Sequence, residues 1–464
     1  MISTRNTAVV AITFWLVLTT CAQSKSVFVH QYLSDTDDDY KYLESEQKRA
    51  YDSAQAAYSL QTAEEAERGI QKTVQGIKLP GPPQDTGPIY ESVIRELHQP
   101  LPTRYEDPTA FIVLRKQMSA IAQAASRLHL PQVAPRFGTL PTNTIQGQTI
   151  EVPKTKDKIV LLNTQLFNAC FILSKPVVQL MRIDSGGGYY YGPDYAVAQI
   201  KAHPELRQQW LQFILEYVGK STPVKKYRFD LRYAPVQTTL VLAMELFAVA
   251  HEYGHVIKNH NAIDTGELKT PWGSLDTNVL RRSWRQELEA DDVGTTIMLK
   301  AEDDDQNPLH QTFLGLEERA PLLFFKYADM LENSSYVLSH GTVRPQLTND
   351  QKRLVDQVSK EWLAERKSKS RSKSITDANP QSGLDLGDFG DHPPAQLRRS
   401  LLLSRIRQET VRNSRPEEIK AAEIEEACER NIDLLFAALV PDLIRIHNGE
   451  NVLDVFQSKR VAKP

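Results

Sequence analysis

Apolar positions along the chain fall into stretches of helical spacing, separated by proline and glycine breaks. From Asp35 to Gln75 the sequence is rich in Ala, Glu, Gln and Lys, with no Pro and one late Gly, which predicts one long or two short helices. Lys78-Leu-Pro-Gly-Pro-Pro-Gln-Asp-Thr-Gly-Pro88 breaks that run as a linker or an extended arm. Helical spacing returns at Phe111, Leu114, Met118 and Ile121, within a segment 108–128 that Pro131 and Pro135 close. Thr149–Val152 and Lys158–Leu162, with a turn-forming Pro153-Lys-Thr-Lys-Asp157 between them, predict an antiparallel pair. Leu166–Leu173 reads as a helix stopped before Pro176, and Pro321–Leu331 as a core helix. Ala395–Arg412 and Glu417–His447 read as closing helices. The fold class is therefore α+β, mainly helical with a small antiparallel sheet.

One stretch stands apart. Between Val236 and Ala250 the only polar residues are Gln237, two Thr and Glu245. A helix apolar on nearly all sides is a buried one. It leads straight into His251-Glu-Tyr-Gly-His255, where residues four apart share a face. Two imidazoles at that spacing can ligate one metal ion with Glu252 beside them. Gly254 inside this helix sacrifices about 1 kcal/mol relative to Ala, which predicts close approach of another backbone.

Composition changes little. With 464 residues, 41% of them hydrophobic, the chain can bury a large core, and a net charge of −3, though locally uneven, gives no reason to propose a general nucleic-acid partner. Asp184-Ser-Gly-Gly-Gly-Tyr-Tyr-Tyr-Gly-Pro193 lacks the Gly-Lys-Ser/Thr of a phosphate loop and reads as an exposed loop. Cys21, Cys170 and Cys428 are too few for a disulfide scaffold or a cysteine zinc site. Arg5 and the apolar run Ala8–Leu18, followed by Ala22 and Ser24, read as a signal peptide over 1–24, hence a periplasmic or secreted protein. Lipidation of Cys21 is a second reading that Thr20 fits poorly and an uncleaved anchor a third; membrane association would run through this N-terminus.

The His251–His255 pair needs a third ligand. A metzincin would place His six residues after His255, but that position holds Asn261, and His260 is one residue short. The better candidate lies in Gln286-Glu-Leu-Glu-Ala-Asp-Asp-Val-Gly294, on a helix starting near Asp276–Asn278. There Glu287 and Asp291 share a face, the first suited to ligate zinc and the second to accept a hydrogen bond from a ligating imidazole. Glu289 and Asp292 face elsewhere in this reading.

His-Glu-x-x-His followed by Glu-x-x-Ala-Asp resembles the gluzincin metallopeptidases, in particular the group of CAAX prenyl endopeptidases, heat-shock membrane peptidases and minigluzincins. Thr142–Ile150 and Ile159–Phe167 resemble that group's paired strands and following helix. Asp391-His-Pro-Pro-Ala-Gln-Leu-Arg398 resembles its His-Pro segment. The chain departs from the membrane members in lacking their hydrophobic spans and looks like a soluble exported one.

The resemblance implies a zincin-like core, zinc bound by His251, His255 and Glu287, and Glu252 as general base. Three ligands leave a fourth position for water, consistent with hydrolysis of a protein or peptide substrate. His392 would help stabilise the oxyanion and Arg398 would brace nearby carboxylates. A His-Pro-Pro turn with a surface Arg is an equal reading of those two. The implied layout is an N-terminal helical arm over 25–80, a peptidase core over 81–363, a low-complexity insertion over 364–390 and closing helices over 391–464. The alternative function is an exported chaperone-like or binding protein that retains the fold.

Overall fold

A computed structural model of the chain describes residues 38–54, 60–76, 87–142, 145, 147–183, 189–217, 230–260, 277–302, 316–345, 395–413 and 416–450. The expected signal peptide, the glycine triplet at 186–188, the insertion over 364–390 and His392 lie outside these residues.

The described chain is mainly helical with a small mixed sheet. Helices α1 (Asp38–Ala54), α2 (Ala63–Gly76), α3 (Gly87–Leu97) and α4 (Pro108–Arg127) lead to the sheet. The Asp35–Gln75 region thus holds two helices. Asp107 caps α4 by accepting from the Ala110 N–H, and Pro108 opens its first turn.

Strands β1 (Arg136–Leu140), β2 (Gly147–Glu151) and β3 (Lys158–Asn163) follow, ordered β1-β3-β2. β2 and β3 are antiparallel, with Thr149 opposite Val160. β1 runs parallel to β3, so the sheet is mixed and the purely antiparallel expectation is corrected. The added strand carries Gly138, where a Cβ would stand 2.6 Å from Glu106 Oε1 and 2.9 Å from Leu43 Cδ2. Glycine there lets α1 and the Glu106 segment close onto the strand. Behind it Glu106 is buried, accepting from Gln47 Nε2 at 2.7 Å and from the Thr139 N–H and hydroxyl at 2.7 and 2.6 Å. Gln47 sits on α1, so this buried network ties the N-terminal region to the sheet.

Helix α5 (Thr164–Gln179) runs through Pro176 instead of stopping before it. Proline removes one helical donor and disturbs the preceding turn. Neighbouring carbonyls there find other partners: Trp210 Nε1 donates to Leu173 O at 3.1 Å and Gln237 Nε2 to Phe171 O at 3.0 Å. These bonds fasten α5 to two later helices. A short hairpin of β4 (Arg182–Ile183) and β5 (Tyr189–Tyr190) leads to α6 (Pro193–Ala202) and α7 (Pro204–Tyr217).

Helix α8 (Ala234–Ile257) is the axis of the molecule. Leu240, Val241, Met244 and Ala248 join a core cluster with Trp210, Phe213 and Tyr327. Phe247, Val249, Ala250 and Tyr253 join another with Phe111, Phe137 and Phe325. With apolar clusters on both sides, α8 has no solvated stripe, as its composition predicts. α9 (Thr277–Glu302), α10 (Leu316–His340), α11 (Ala395–Asn413) and α12 (Pro416–His447) complete the described residues. Cys170 and Cys428 are free, buried thiols on α5 and α12.

Candidate metal centre

The last two turns of α8 carry His251, Glu252 and His255, and α9 crosses them closely. Gly254 is where the crossing is tightest: a Cβ there would stand 2.8 Å from Ala290 O. On α9 Gly294 answers it, since its Cβ would stand 2.8 Å from the His251 N. Glycine on each helix removes the side-chain spacing that would hold the axes apart. The backbone approach expected at Gly254 is thus supplied by α9.

That crossing brings Glu287 over both imidazoles. His251 Nε2 lies 3.1 Å from His255 Nε2 and 3.4 Å from Glu287 Oε2. His255 Nε2 lies 3.3 Å from Glu287 Oε1. A tetrahedral ion with bonds of about 2.0–2.1 Å spaces its donors about 3.3 Å apart. The three residues therefore form a group able to hold a metal ion, with both imidazoles presenting the same ring nitrogen.

The other nitrogen of His251 is fixed from behind. Its Nδ1 lies 2.9 Å from Asp291 Oδ1, one helical turn beyond Glu287. Arg398 on α11 closes that side, donating through Nε to Asp291 Oδ2 at 2.8 Å and through Nη2 to Oδ1 at 2.6 Å. Its Nη1 lies 3.4 Å from Glu287 Oε2, and its guanidinium stands 4.5 Å from the centre of the Phe325 ring. Bidentate pairing plus an aromatic face fixes the guanidinium plane.

Charges follow this geometry. Burial works against the Asp291 carboxylate, but Arg398 and His251 together outweigh it and hold the carboxyl below its ordinary range. Burial also opposes charge on His251, but Asp291 and Glu287 overcome it and raise the ring to about 10. The same anionic surroundings that favour charge on His251 favour a cation between the three ligand atoms.

Glu252 is buried on the adjacent side of α8, against β2. Thr149 Oγ1 lies 2.9 Å from Glu252 Oε2 and 3.0 Å from its carbonyl oxygen. At Gly147 a Cβ would stand 2.7 Å from Glu252 Oε1, so glycine in the strand leaves the carboxylate its space.

Two residues belong to this centre that spacing alone did not assign. His260 Nδ1 lies 2.9 Å from His255 Nδ1, and His260 Nε2 lies 3.2 Å from Glu289 Oε2. Glu289 faces away from the metal group, as expected, but toward His260, and so reaches the outer side of His255 through that ring. Asp292 does face another way, toward Arg405 Nε at 3.7 Å. The one sequence signal was a third histidine directly after Asn259, at the end of α8.

Comparison of the chain with protein-family models, with curated proteins and with solved structures finds no match.

Proposed function

We propose that this chain is a zinc-dependent endopeptidase of the gluzincin type, built on a zincin-like core and exported. The observation that carries the reading is the convergence of His251, His255 and Glu287 beside Glu252 and beneath the sheet. Two nitrogens and a carboxylate suit zinc and leave a fourth position open. Zinc held there by His251, His255 and Glu287 would supply Lewis acidity for a peptide carbonyl and would make a water at the open position easier to deprotonate.

The chain's own residues do the rest. Asp291 orients His251 from behind, and Arg398 fixes Asp291 by its bidentate pair while reaching Glu287, the ligand, through Nη1. Glu252 takes the proton of the attacking water and returns it to the leaving amine. Thr149 holds one oxygen of that carboxylate toward the strand, which fixes its rotamer. β2 is paired with β3 on one side only, and among the described residues no strand pairs with its other edge. An extended peptide adding to that edge would lie alongside Glu252.

The test is elemental analysis for zinc together with cleavage of casein or a peptide library by wild type and Glu252→Gln. Both proteins should bind one zinc, and the variant should lose roughly 10²–10⁴-fold in rate. Unchanged cleavage by Glu252→Gln would sink the mechanism. Client binding that survives loss of both His251 and Glu252, with no cleavage by any form, would favour a chaperone-like role.

A further inference from the structure

Each imidazole of the metal group has a second ring nitrogen, and the two are supported differently. His251 leans on a carboxylate directly, whereas His255 leans on another histidine, which leans on a carboxylate. Resting on the metal reading above, we infer that His260 and Glu289 are positioning residues for His255, a relay that fixes the tautomer and the plane of the second zinc ligand.

The tautomers follow from atoms. His255 turns Nε2 toward His251 and Glu287, so a cation there takes that lone pair and leaves the ring hydrogen on Nδ1. Nδ1 then donates to His260 Nδ1 at 2.9 Å, which accepts only if the hydrogen of His260 is on Nε2. His260 Nε2 donates in turn to Glu289 Oε2 at 3.2 Å. One assignment satisfies all three groups. A carboxylate at the end of such a chain also makes the ligating nitrogen a better donor to the metal.

The backbone is shaped for this contact. α8 ends with the Asn259 N–H bonded to Val256 O and the His260 N–H bonded to His255 O, each at 3.0 Å. This is the Schellman pattern, with Asn259 in the left-handed region at φ 51°. The reversal folds His260 back over the turn that carries His255. Lys158 then holds the reversed segment, its Nζ lying 3.4 Å from His260 O and 2.9 Å from Glu151 Oε2. The β2–β3 pair that places Thr149 beside Glu252 thereby also locates the relay. Glu289 adjoins Ala290, the residue against which Gly254 packs, so the crossing that delivers Glu287 delivers the end of the relay as well.

The test measures zinc affinity by competition with a chromophoric chelator, the absorption spectrum of the cobalt(II)-substituted protein, and the unfolding midpoint of the metal-free protein. The proteins are wild type, His260→Ala, His260→Gln and Glu289→Gln. His260→Ala should lose about 10–100-fold in zinc affinity and alter the cobalt spectrum, with the metal-free midpoint little changed. His260→Gln, whose amide can accept from His255 and donate to Glu289, should recover most of that loss. Glu289→Gln, which keeps an acceptor but removes the charge, should fall between and stands in if His260→Ala fails to fold. Wild type that binds zinc, with His260→Ala and Glu289→Gln binding it equally well, overturns the relay alone. Wild type that binds no zinc overturns the metal reading, and the relay with it.

Discussion

Gly254→Ala sets two known effects against each other. In an exposed helix the change gains about 1 kcal/mol of helix propensity. Here the new methyl would stand 2.8 Å from Ala290 O and 3.1 Å from Ala290 Cα, both backbone atoms of α9 that cannot swing aside. Forced packing of this kind typically costs about 1–3 kcal/mol, so the net expectation is a loss of roughly 1 kcal/mol. The geometric consequence is larger. Restoring an ordinary contact of 3.4 Å moves the two helices apart by about 0.6 Å at this point. Glu287 stands one turn away on α9, and metal–ligand distances tolerate only about 0.2 Å. Zinc affinity should therefore fall at least about tenfold, out of proportion to the stability change. Urea denaturation of the metal-free protein and chelator competition read the two quantities separately. A variant that is more stable by the full propensity gain, with unchanged zinc affinity, would refute the crossing as the device that places Glu287.

Other perturbations test other parts of the architecture. Asp291→Asn removes the charge behind His251 and leaves Arg398 without its bidentate partner; zinc affinity measured by competition should drop about 10–100-fold. Gly147→Ala sets a methyl 2.7 Å from Glu252 Oε1 and 2.8 Å from its Cγ, so kcat/KM should fall while zinc stoichiometry stays at that of wild type. Glu106 gives a pH signature away from the metal. Burial pushes its carboxyl from 4.5 to about 7 against the pull of its Thr139 and Gln47 hydrogen bonds. Between those values the folded protein holds a proton that the unfolded chain has released, so its contribution is complete below about pH 4.5 and is lost as pH rises toward 7. The shift corresponds to as much as about 3 kcal/mol over that window. Denaturation midpoints across pH 4.5–7.5 should show a falling component in wild type that Glu106→Gln lacks; equal slopes would contradict a protonated Glu106.

The parts of the site legible in sequence are those that depend on position within a single helix. His251 and His255 share a face by spacing, as do Glu287 and Asp291, and the apolar residues before His251 announce a buried helix. What stayed hidden depends on distant segments. Glu289 looks like one more acid in a charged run until the left-handed Asn259 turns His260 toward it. β1 escaped because Gly138 weakens its strand signal, and the reason for that glycine is Leu43 and Glu106 arriving from elsewhere. The continuation of α5 through Pro176 was equally invisible, since it relies on donors from Trp210 and Gln237.

α8 also bears on how the chain is made. Among the described residues it is the one helix long and apolar enough to cross a membrane, and 78% of its most apolar window is buried within the protein. Before folding, nothing covers that surface, and a nascent chain presents it to lipid as a candidate span. Glu245 lies at its middle, fully buried in the folded state, where burial drives its carboxyl well above the ordinary range. An acidic side chain at the centre of a bilayer adds about 2.5–3.5 kcal/mol to the cost of insertion. The same carboxyl that burial disfavours in the folded core thus also raises the cost of placing this segment in a bilayer.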